Sequence, residues 1–269
     1  MPSRRLVLLL VAAGSVVCGG WAHAGAKRRI VYFSQTQGYR HKQGIPLVRK
    51  ILMADPRFEV DECTDCTKWT PEYLGQYDAM VSYGSGELPL SDANKQALLD
   101  FVRGGKGFVA VHSALYMCPK SKWPAFAEMI NATFINHPWH QKLRIVVEDR
   151  THPATAHLGD SFEIHDEIYQ FAHWSRQKTH VLLSIDNASV DLDKKDRKGK
   201  PLVRRADRDF GIAWCHPYGK GRVFYTALGH GTPACTAPQY PKHVINGLLW
   251  ALGDLDAPAP LGTDGRKKK

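Results

Sequence analysis

The sequence predicts an α/β fold with a doubly wound, mostly parallel sheet and an elaborated C-terminal half. Three observations support this prediction. Short apolar runs alternate with amphipathic segments through the first half, as parallel strands and their crossover helices require. Glycine-rich turns separate these segments. Several apolar runs end abruptly in polar residues, which is typical of strands that lead to a ligand site at one edge of a parallel sheet.

The first half contains four predicted strands with helices between them. The strands are residues 30–33, 58–60, 79–83 and 108–111. Apolar residues at helical spacing predict a helix over residues 45–53. A second helix begins at the capping residue Ser91 and ends at Gly104 and Gly105. This β-α-β-α-β order predicts the doubly wound sheet.

The second half is less regular. Residues 143–147 and 180–185 have strand patterns, whereas residues 164–171 fit either a strand or an extended loop. Residues 210–215 and 223–228 form a predicted hairpin around a turn that contains Gly219 and Gly221. A closing helix is predicted over residues 243–252.

Residues 1–24 have the pattern of an export signal. Arg4 and Arg5 precede an apolar stretch that is too short to span a bilayer, and residues 22–24 form an A-x-A cleavage site. Lipidation at Cys18 and twin-arginine export are the alternatives. We therefore expect a periplasmic or extracellular protein, with one domain at 25–254 and a disordered basic tail at 255–269.

Charge and cysteine content limit the partners. The net charge of +10 is concentrated in the signal, the tail and a mixed-charge segment, so neither nucleic-acid binding nor a membrane span is expected. Five of the six cysteines follow the predicted cleavage site. In an oxidising compartment we expect the disulfides Cys63–Cys66 and Cys118–Cys235, with Cys215 as a buried thiol.

Polar residues follow four predicted strands, at positions 34–41, 84–87, 112–113 and 229–232. Because the carboxyl ends of parallel strands meet at one edge of a sheet, we expect His41, His112 and His230 to converge there. His112 stands where comparable strand–turn–helix elbows present a nucleophile. An imidazole at that position suits acid–base catalysis, metal ligation or hydrogen bonding.

Two further polar clusters lie in the second half. His137 and His140 are candidate metal ligands, with structural hydrogen bonding as the alternative. Glu167 is a candidate acid–base carboxylate, and an ion pair with Arg40 or Arg144 is the alternative. The sequence names no cofactor. A divalent metal ion such as zinc stays open, although no compact zinc motif is present.

Six segments, in order, resemble the ThuA-like (trehalose utilisation) family between Arg29 and Leu252. They are residues 38–41, 107–114, 134–138, 152–153, 166–169 and 219–230. The resemblance implies a flavodoxin-like fold similar to class I glutamine amidotransferases. Those enzymes carry cysteine at the elbow where this chain has His112, so glutaminase activity is not implied. The family name implies a link to disaccharide breakdown, through oxidised keto-sugars in some pathways.

These observations lead to a first hypothesis, an exported enzyme that acts on a sugar or oxidised sugar by isomerisation, elimination or hydrolysis. The predicted catalytic residues are His112, Glu167 and His41. The predicted ligand-binding residues supply hydrogen bonds and flat apolar faces, and they are Tyr39, Arg40, Ser113, Tyr116, Trp139, Tyr169 and His230. A non-catalytic carbohydrate-binding module and a zinc hydrolase that uses His137 and His140 are the alternatives.

Overall fold

The computed structural model describes residues 26–262, so the predicted export signal lies outside the described residues. The strands are β1 (Arg28–Phe33), β2 (Thr36–Gln37), β3 (Phe58–Cys63), β4 (Ala79–Ser82), β5 (Ser85–Gly86), β6 (Gly107–Val111), β7 (Thr133–Val147), β8 (Ser161–Ala172), β9 (His180–Ile185), β10 (Gly211–Tyr218) and β11 (Gly221–Thr226). The α-helices are α1 (Gly44–Met53), α2 (Pro71–Leu74), α3 (Asp92–Arg103), α4 (Pro124–Ile130), α5 (Thr232–Cys235) and α6 (Tyr240–Leu252).

Nine strands form one central sheet, in the order β3-β1-β4-β6-β11-β10-β9-β7-β8. The first five strands in this order pair in parallel, and the others pair antiparallel. The short strands β2 and β5 pair in parallel with each other. The chain therefore has a mixed α/β fold around a large sheet whose first five strands are parallel.

Local sequence explains the elements of the parallel region. All five residues of β6 are buried, as expected for a central strand covered on both faces. Helix α3 begins with a capping box, in which the Ser91 side chain accepts a hydrogen bond from the backbone of Asn94 and the Asn94 side chain accepts one in return. Helix α6 contacts β6 and β11, and its buried side chains complete the core on that side.

Strands β7 and β8 are longer than the sequence predicts. The pattern predicts a strand only at 143–147, whereas β7 has 15 residues and pairs with all residues of the 12-residue strand β8 except Tyr169 in a long antiparallel ribbon. Register shifts on either side of Asn136 accommodate Pro138, which lacks a backbone donor. The sequence pattern of residues 164–171 fits either a strand or an extended loop, and in the structure these residues lie within β8.

The predicted hairpin is confirmed. Strands β10 and β11 are antiparallel, and Tyr218 pairs with Gly221 across a two-residue turn. Gly219 has a φ of +61°, a left-handed conformation that glycine adopts without steric cost. The hairpin matters for the site because it returns the chain to the parallel strand β11 beside β6.

The segment after α6 packs on the domain as far as the structure describes it. The Trp250 indole donates to the carbonyl of Ala257 at 3.1 Å, and the backbone N–H of Gly262 donates to the carbonyl of Arg176 at 2.9 Å. The expected disorder from residue 255 therefore does not hold for residues 255–262. Residues 263–269 of the predicted tail lie outside the described residues.

The disulfide prediction is wrong. All five cysteines of the described range are free and buried. The thiol of Cys118 faces the carbonyl of Leu88, whereas that of Cys235 faces the carbonyl of Gly229. The chain turns toward β5 after β6 and into α5 after β11, so the two residues diverge although their strands are neighbours. Cys63 turns its thiol onto the carbonyl of Asp65 instead of onto Cys66.

In the part of the chain that the structure describes, no helix is both long enough and apolar enough to span a membrane.

Candidate functional site

A cavity of about 900 Å³ opens where the chain leaves the parallel strands β1, β4, β6 and β11, and strands β7 and β8 complete its wall. This position is the expected one, because the carboxyl ends of parallel strands leave space between their connecting loops. The predicted site residues that line the cavity are Tyr39, His41, Ser113, Tyr116, His137, His140, Glu167, Tyr169 and His230.

His112 is the first residue after β6 and lies fully buried beside this cavity. Its φ of +49° turns the chain sharply and aims the ring toward β11 and β8. Nδ1 donates a hydrogen bond to the carbonyl of Ala227 at 2.6 Å. That bond fixes the tautomer in the neutral ring, so Nε2 keeps its lone pair. The lone pair faces His230 Nδ1 at 3.2 Å and Glu167 Oε2 at 3.6 Å.

Glu167 links three imidazoles. Its Oε2 lies 3.2 Å from Nδ1 of His230 and its Oε1 lies 3.1 Å from Nδ1 of His137. Burial raises the pKa of Glu167, but its contacts with the rings of His112 and His230 outweigh burial and hold the pKa well below its usual range. For His230, burial lowers the pKa, and the bond to Glu167 reverses this into a net increase. Glu167 is thus a buried, negatively charged acceptor.

His41 follows β2 and packs its ring against His112 and His230, with ring centroids 4.7 and 4.9 Å apart. Burial, followed by the neighbouring charges of His112 and His230, lowers the pKa of His41 to about 3. Among the described residues, nothing accepts from or donates to its buried Nδ1. His41 is therefore a neutral imidazole with an unsatisfied nitrogen next to the other site histidines.

Four side chains form a cluster that is suited to a metal ion. One ligand atom from each of His41, His112, Glu167 and His230 lies within 4.8 Å of the others. Three imidazoles and one carboxylate are ligands that zinc and other first-row transition metals accept. The orphaned Nδ1 of His41 and the directed lone pair of His112 fit such an ion. The sequence predicted that the three histidines converge, and this convergence is observed.

The two histidines that the sequence offered as metal ligands lie farther out. His137 is half exposed and reaches the cluster through Glu167. His140 is exposed, with its ring centroid 5.0 Å from that of His230. Burial and the nearby His230 lower the pKa of His140. Both residues line the cavity, but neither belongs to the tight four-residue cluster.

Asp166 is a site residue that sequence reasoning missed. It is buried, and its carboxylate accepts backbone N–H bonds from Gly229 at 2.7 Å, Glu167 at 2.9 Å and His230 at 3.1 Å. One side chain therefore ties the loop after β11 to strand β8 and positions two members of the cluster. Its sequence signals are its place next to Glu167 and within the family segment 166–169. Alternation along a strand would instead put Glu163 and His165 on the face of Glu167, and both are exposed.

Two predicted ligand-binding residues do not reach the cavity. Trp139 is fully buried, packs edge-on against Phe210 and donates its indole N–H to the carbonyl of Asp191 at 3.0 Å. It is a core residue, because no face of its ring is open to a ligand. Arg40 is exposed and turns its guanidinium toward the carbonyl of Ser34.

Aromatic rings surround the cluster. Tyr39 is exposed and contacts His41 edge to face, with ring centroids 4.9 Å apart. Tyr169 lies against the ring of His112, with ring centroids 4.4 Å apart. Phe134, which the sequence offered only within a family motif, packs against both Tyr116 and Tyr169. The cavity therefore combines polar groups at its base with flat apolar faces on its walls, as sites for small polar molecules do.

Comparisons with known proteins agree with this architecture. Among solved structures, the chain is similar to a ThuA-like protein from Bacteroides uniformis, with 25% identity and a TM-score of 0.72 over 87% of this chain and 94% of that one. A ThuA-like protein from Parabacteroides merdae has 16% identity and a TM-score of 0.67, again over 87% and 94% of the chains. A β-galactosidase from Bacillus circulans shares the fold alone, at 13% identity and a TM-score of 0.52 over 84% of this chain and 31% of that chain.

No curated protein matches the chain. The family model for ThuA, described as trehalose utilisation, matches residues 29–251. This range covers the nine strands of the central sheet, apart from Arg28 at the start of β1. The chain therefore belongs to the ThuA (trehalose utilisation) family.

Proposed function

We propose that this protein is a metal-dependent enzyme that acts on a sugar or an oxidised sugar derivative by acid–base chemistry, through isomerisation, elimination or hydrolysis. The observation that carries this proposal is the cluster of His41, His112, Glu167 and His230 at the base of a cavity with aromatic walls. The family description, trehalose utilisation, supports a carbohydrate as the ligand.

In this proposal the four cluster residues hold a divalent cation. The Ala227 carbonyl keeps the proton on Nδ1 of His112, so that Nε2 can act as a ligand. Asp166 holds the backbone of Glu167 and His230 in place. When bound, such a cation would polarise a sugar carbonyl or lower the pKa of a water molecule.

The cavity walls would bind the sugar. The rings of Tyr39, Tyr116 and Phe134 offer faces for sugar C–H surfaces, and Ser113 supplies a hydroxyl group beside the cluster. His137 is the group that we propose for proton transfer. Its ring is half exposed to the cavity, and the 3.1 Å contact with Glu167 orients it.

The test starts with metal content. Untagged wild-type protein and the variant His112→Ala would be analysed by elemental mass spectrometry, and the matched variant His243→Gln would remove a buried histidine outside the cavity. We expect near-stoichiometric zinc, manganese or iron in the wild type and in His243→Gln, and loss of this metal in His112→Ala. Oxidised disaccharides would then be screened for turnover with and without a chelator.

The outcomes separate the candidate functions. Turnover that a chelator abolishes supports the metal-dependent enzyme. Turnover by a metal-free wild type contradicts the role of the metal, whereas sugar binding without turnover supports the non-catalytic binding module.

We further propose that the protein is exported and that the five parallel strands form a doubly wound, flavodoxin-like unit. The pattern of residues 1–24 supports export, and N-terminal sequencing of secreted protein would begin at Gly25. The order β3-β1-β4-β6-β11 supports the second proposal, since it matches the flavodoxin order 2-1-3-4-5.

A further inference from the structure

A second cavity, of about 540 Å³, lies beside the first and extends along helix α4. Tyr116, Pro119 and Phe134 line both cavities. The rings of Tyr116 and Phe134 meet edge to face, with centroids 5.1 Å apart, so they form a common wall. A ligand held at the histidine cluster and extending past these rings would enter the second cavity.

The base of the second cavity is apolar. Leu115, Met117, Trp123 and Phe126 are buried residues of its lining. Trp123 stacks on Phe126 with centroids 4.9 Å apart and an angle of 24° between the rings, so the base is firmly packed. This base differs from that of the first cavity, where imidazoles and a carboxylate face the ligand.

The polar side chains of the second cavity are already engaged or lie at its rim. The Asn131 amide donates to the carbonyl of Ser175 at 2.9 Å, and the Thr133 hydroxyl donates to the carbonyl of Ala172 at 3.3 Å. Lys122, Glu128, His173 and Lys178 are exposed. A bound group with several hydroxyls would therefore lose hydrogen bonds to water without regaining them at the base.

The backbone around the second cavity is unusual. Of the six described non-glycine residues with positive φ, four line it, and they are Cys118, Lys122, Asn131 and His173. A left-handed conformation is sterically unfavourable for a residue other than glycine, and less so for asparagine. Such conformations gather where a fold must shape a binding surface. Asn131 is the left-handed C-cap of α4, whereas Cys118, Lys122 and His173 lie in the loops around the cavity. Three strained loop positions at one cavity support a surface that is shaped for a ligand.

We propose that the second cavity binds the aromatic aglycone of a glycoside whose sugar occupies the first cavity. The inference rests on the proposed function, and it names the substrate class as an aryl glycoside. An aromatic ring requires only apolar contact, which Trp123 and Phe134 supply. A second sugar ring fits the base less well, because its hydroxyl groups would find few free partners.

The test compares methyl and phenyl glycosides of the same sugar by calorimetry. The probes are the α and β glucosides and galactosides, together with their oxidised keto forms. We expect the phenyl glycoside of the preferred sugar to bind about tenfold more tightly than its methyl counterpart, because the ring buries apolar surface. Ala127→Phe fills the second cavity from α4 and should abolish this preference while leaving the affinity for the methyl glycoside unchanged.

Ala125→Phe provides the matched control, since Ala125 is half-buried on the same helix but does not line the cavity. We expect this variant to keep the phenyl preference. Equal affinities of the wild type for the phenyl and methyl glycosides would overturn the aglycone site and leave the proposed sugar site standing. A preference that survives in Ala127→Phe would also overturn it. If neither glycoside binds, the sugar site and the aglycone site are both wrong.

Discussion

Two groups of histidines in this protein have different surroundings. The cavity histidines are His41, His112 and His230, and the core histidines are His152, His216 and His243. Burial lowers the pKa of His41 to about 3, and it likewise lowers the pKa of His152 to about 3 and those of His216 and His243 to about 4. A low pKa therefore does not distinguish His41 from the core histidines.

Their hydrogen-bond partners do distinguish them. Nδ1 of His243 bonds to the carbonyl of Ala154 at 2.9 Å and Nε2 faces the Thr226 hydroxyl at 3.1 Å, so both ring nitrogens are satisfied. His216 bonds to the carbonyl of Met129 at 2.8 Å. In the cavity group, by contrast, ring nitrogens face one another and the carboxylate of Glu167. Ring nitrogens and a carboxylate that converge on one point indicate a site for a cation, and backbone partners indicate a structural role.

Replacing a cluster ligand should have the largest effect. In Glu167→Gln the carboxylate that faces His112, His137 and His230 becomes neutral, so we expect affinity for zinc or manganese to fall about 100-fold or more. Calorimetric titration of metal-free protein would measure the loss. Equal affinities of the variant and the wild type would refute a metal role for the cluster. His243→Gln is the control and should bind metal as the wild type does.

Asp166→Asn should have a smaller effect of the same kind. The amide replaces one of the two acceptor oxygens that receive the N–H groups of Gly229, Glu167 and His230, so the ligands should lose their alignment. We expect about tenfold weaker metal binding with the fold retained, as judged by circular dichroism and titration.

The matched control for Asp166→Asn is Asp149→Asn. The carboxylate of Asp149 accepts bonds from Thr151 and His180 away from the cavity. The variant Asp149→Asn should therefore reduce stability and leave metal affinity unchanged. If both variants affect metal affinity equally, Asp166 has no specific positioning role.

Replacing a core histidine should change stability instead of binding. His243→Gln loses at least one of the two bonds of the buried ring, and we expect a cost of about 1–3 kcal/mol in the free energy of unfolding. Urea denaturation at pH 7 would measure this cost. A variant as stable as the wild type would show that His243 does not contribute to the core through these bonds.

The smallest predicted effect is the pH dependence of that cost. The folded-state pKa of His243 is about 4, below the ordinary value, so between the ordinary value and pH 4 the unfolded wild type binds more protons than the folded one. The stabilisation from neutral His243 is complete above the ordinary pKa and is lost as the pH falls through 4. The stability difference between wild type and His243→Gln should therefore shrink from pH 7 to pH 4. A constant difference in urea titrations would contradict the assignment.

The sequence alone determined the parallel part of the fold and the place of the site. Apolar runs alternate with helical patterns up to β6, and each of these elements forms mainly from local preferences and burial. Parallel strands present their carboxyl ends at one edge of a sheet. For this reason the sequence alone predicts that His41, His112 and His230, which are far apart in the chain, lie close together. This inference needed only the direction of the strands.

Tertiary structure decided everything that depends on pairing between distant segments. The length of β7 depends on its pairing with β8, and that pairing buries Trp139 while leaving His137 at the cavity. Asp166 acquires its role only when the loop after β11 reaches β8. Cys118 and Cys235 separate because the chain turns in different directions after neighbouring strands. Such contacts arise from packing in three dimensions, and the pattern of a single segment does not encode them.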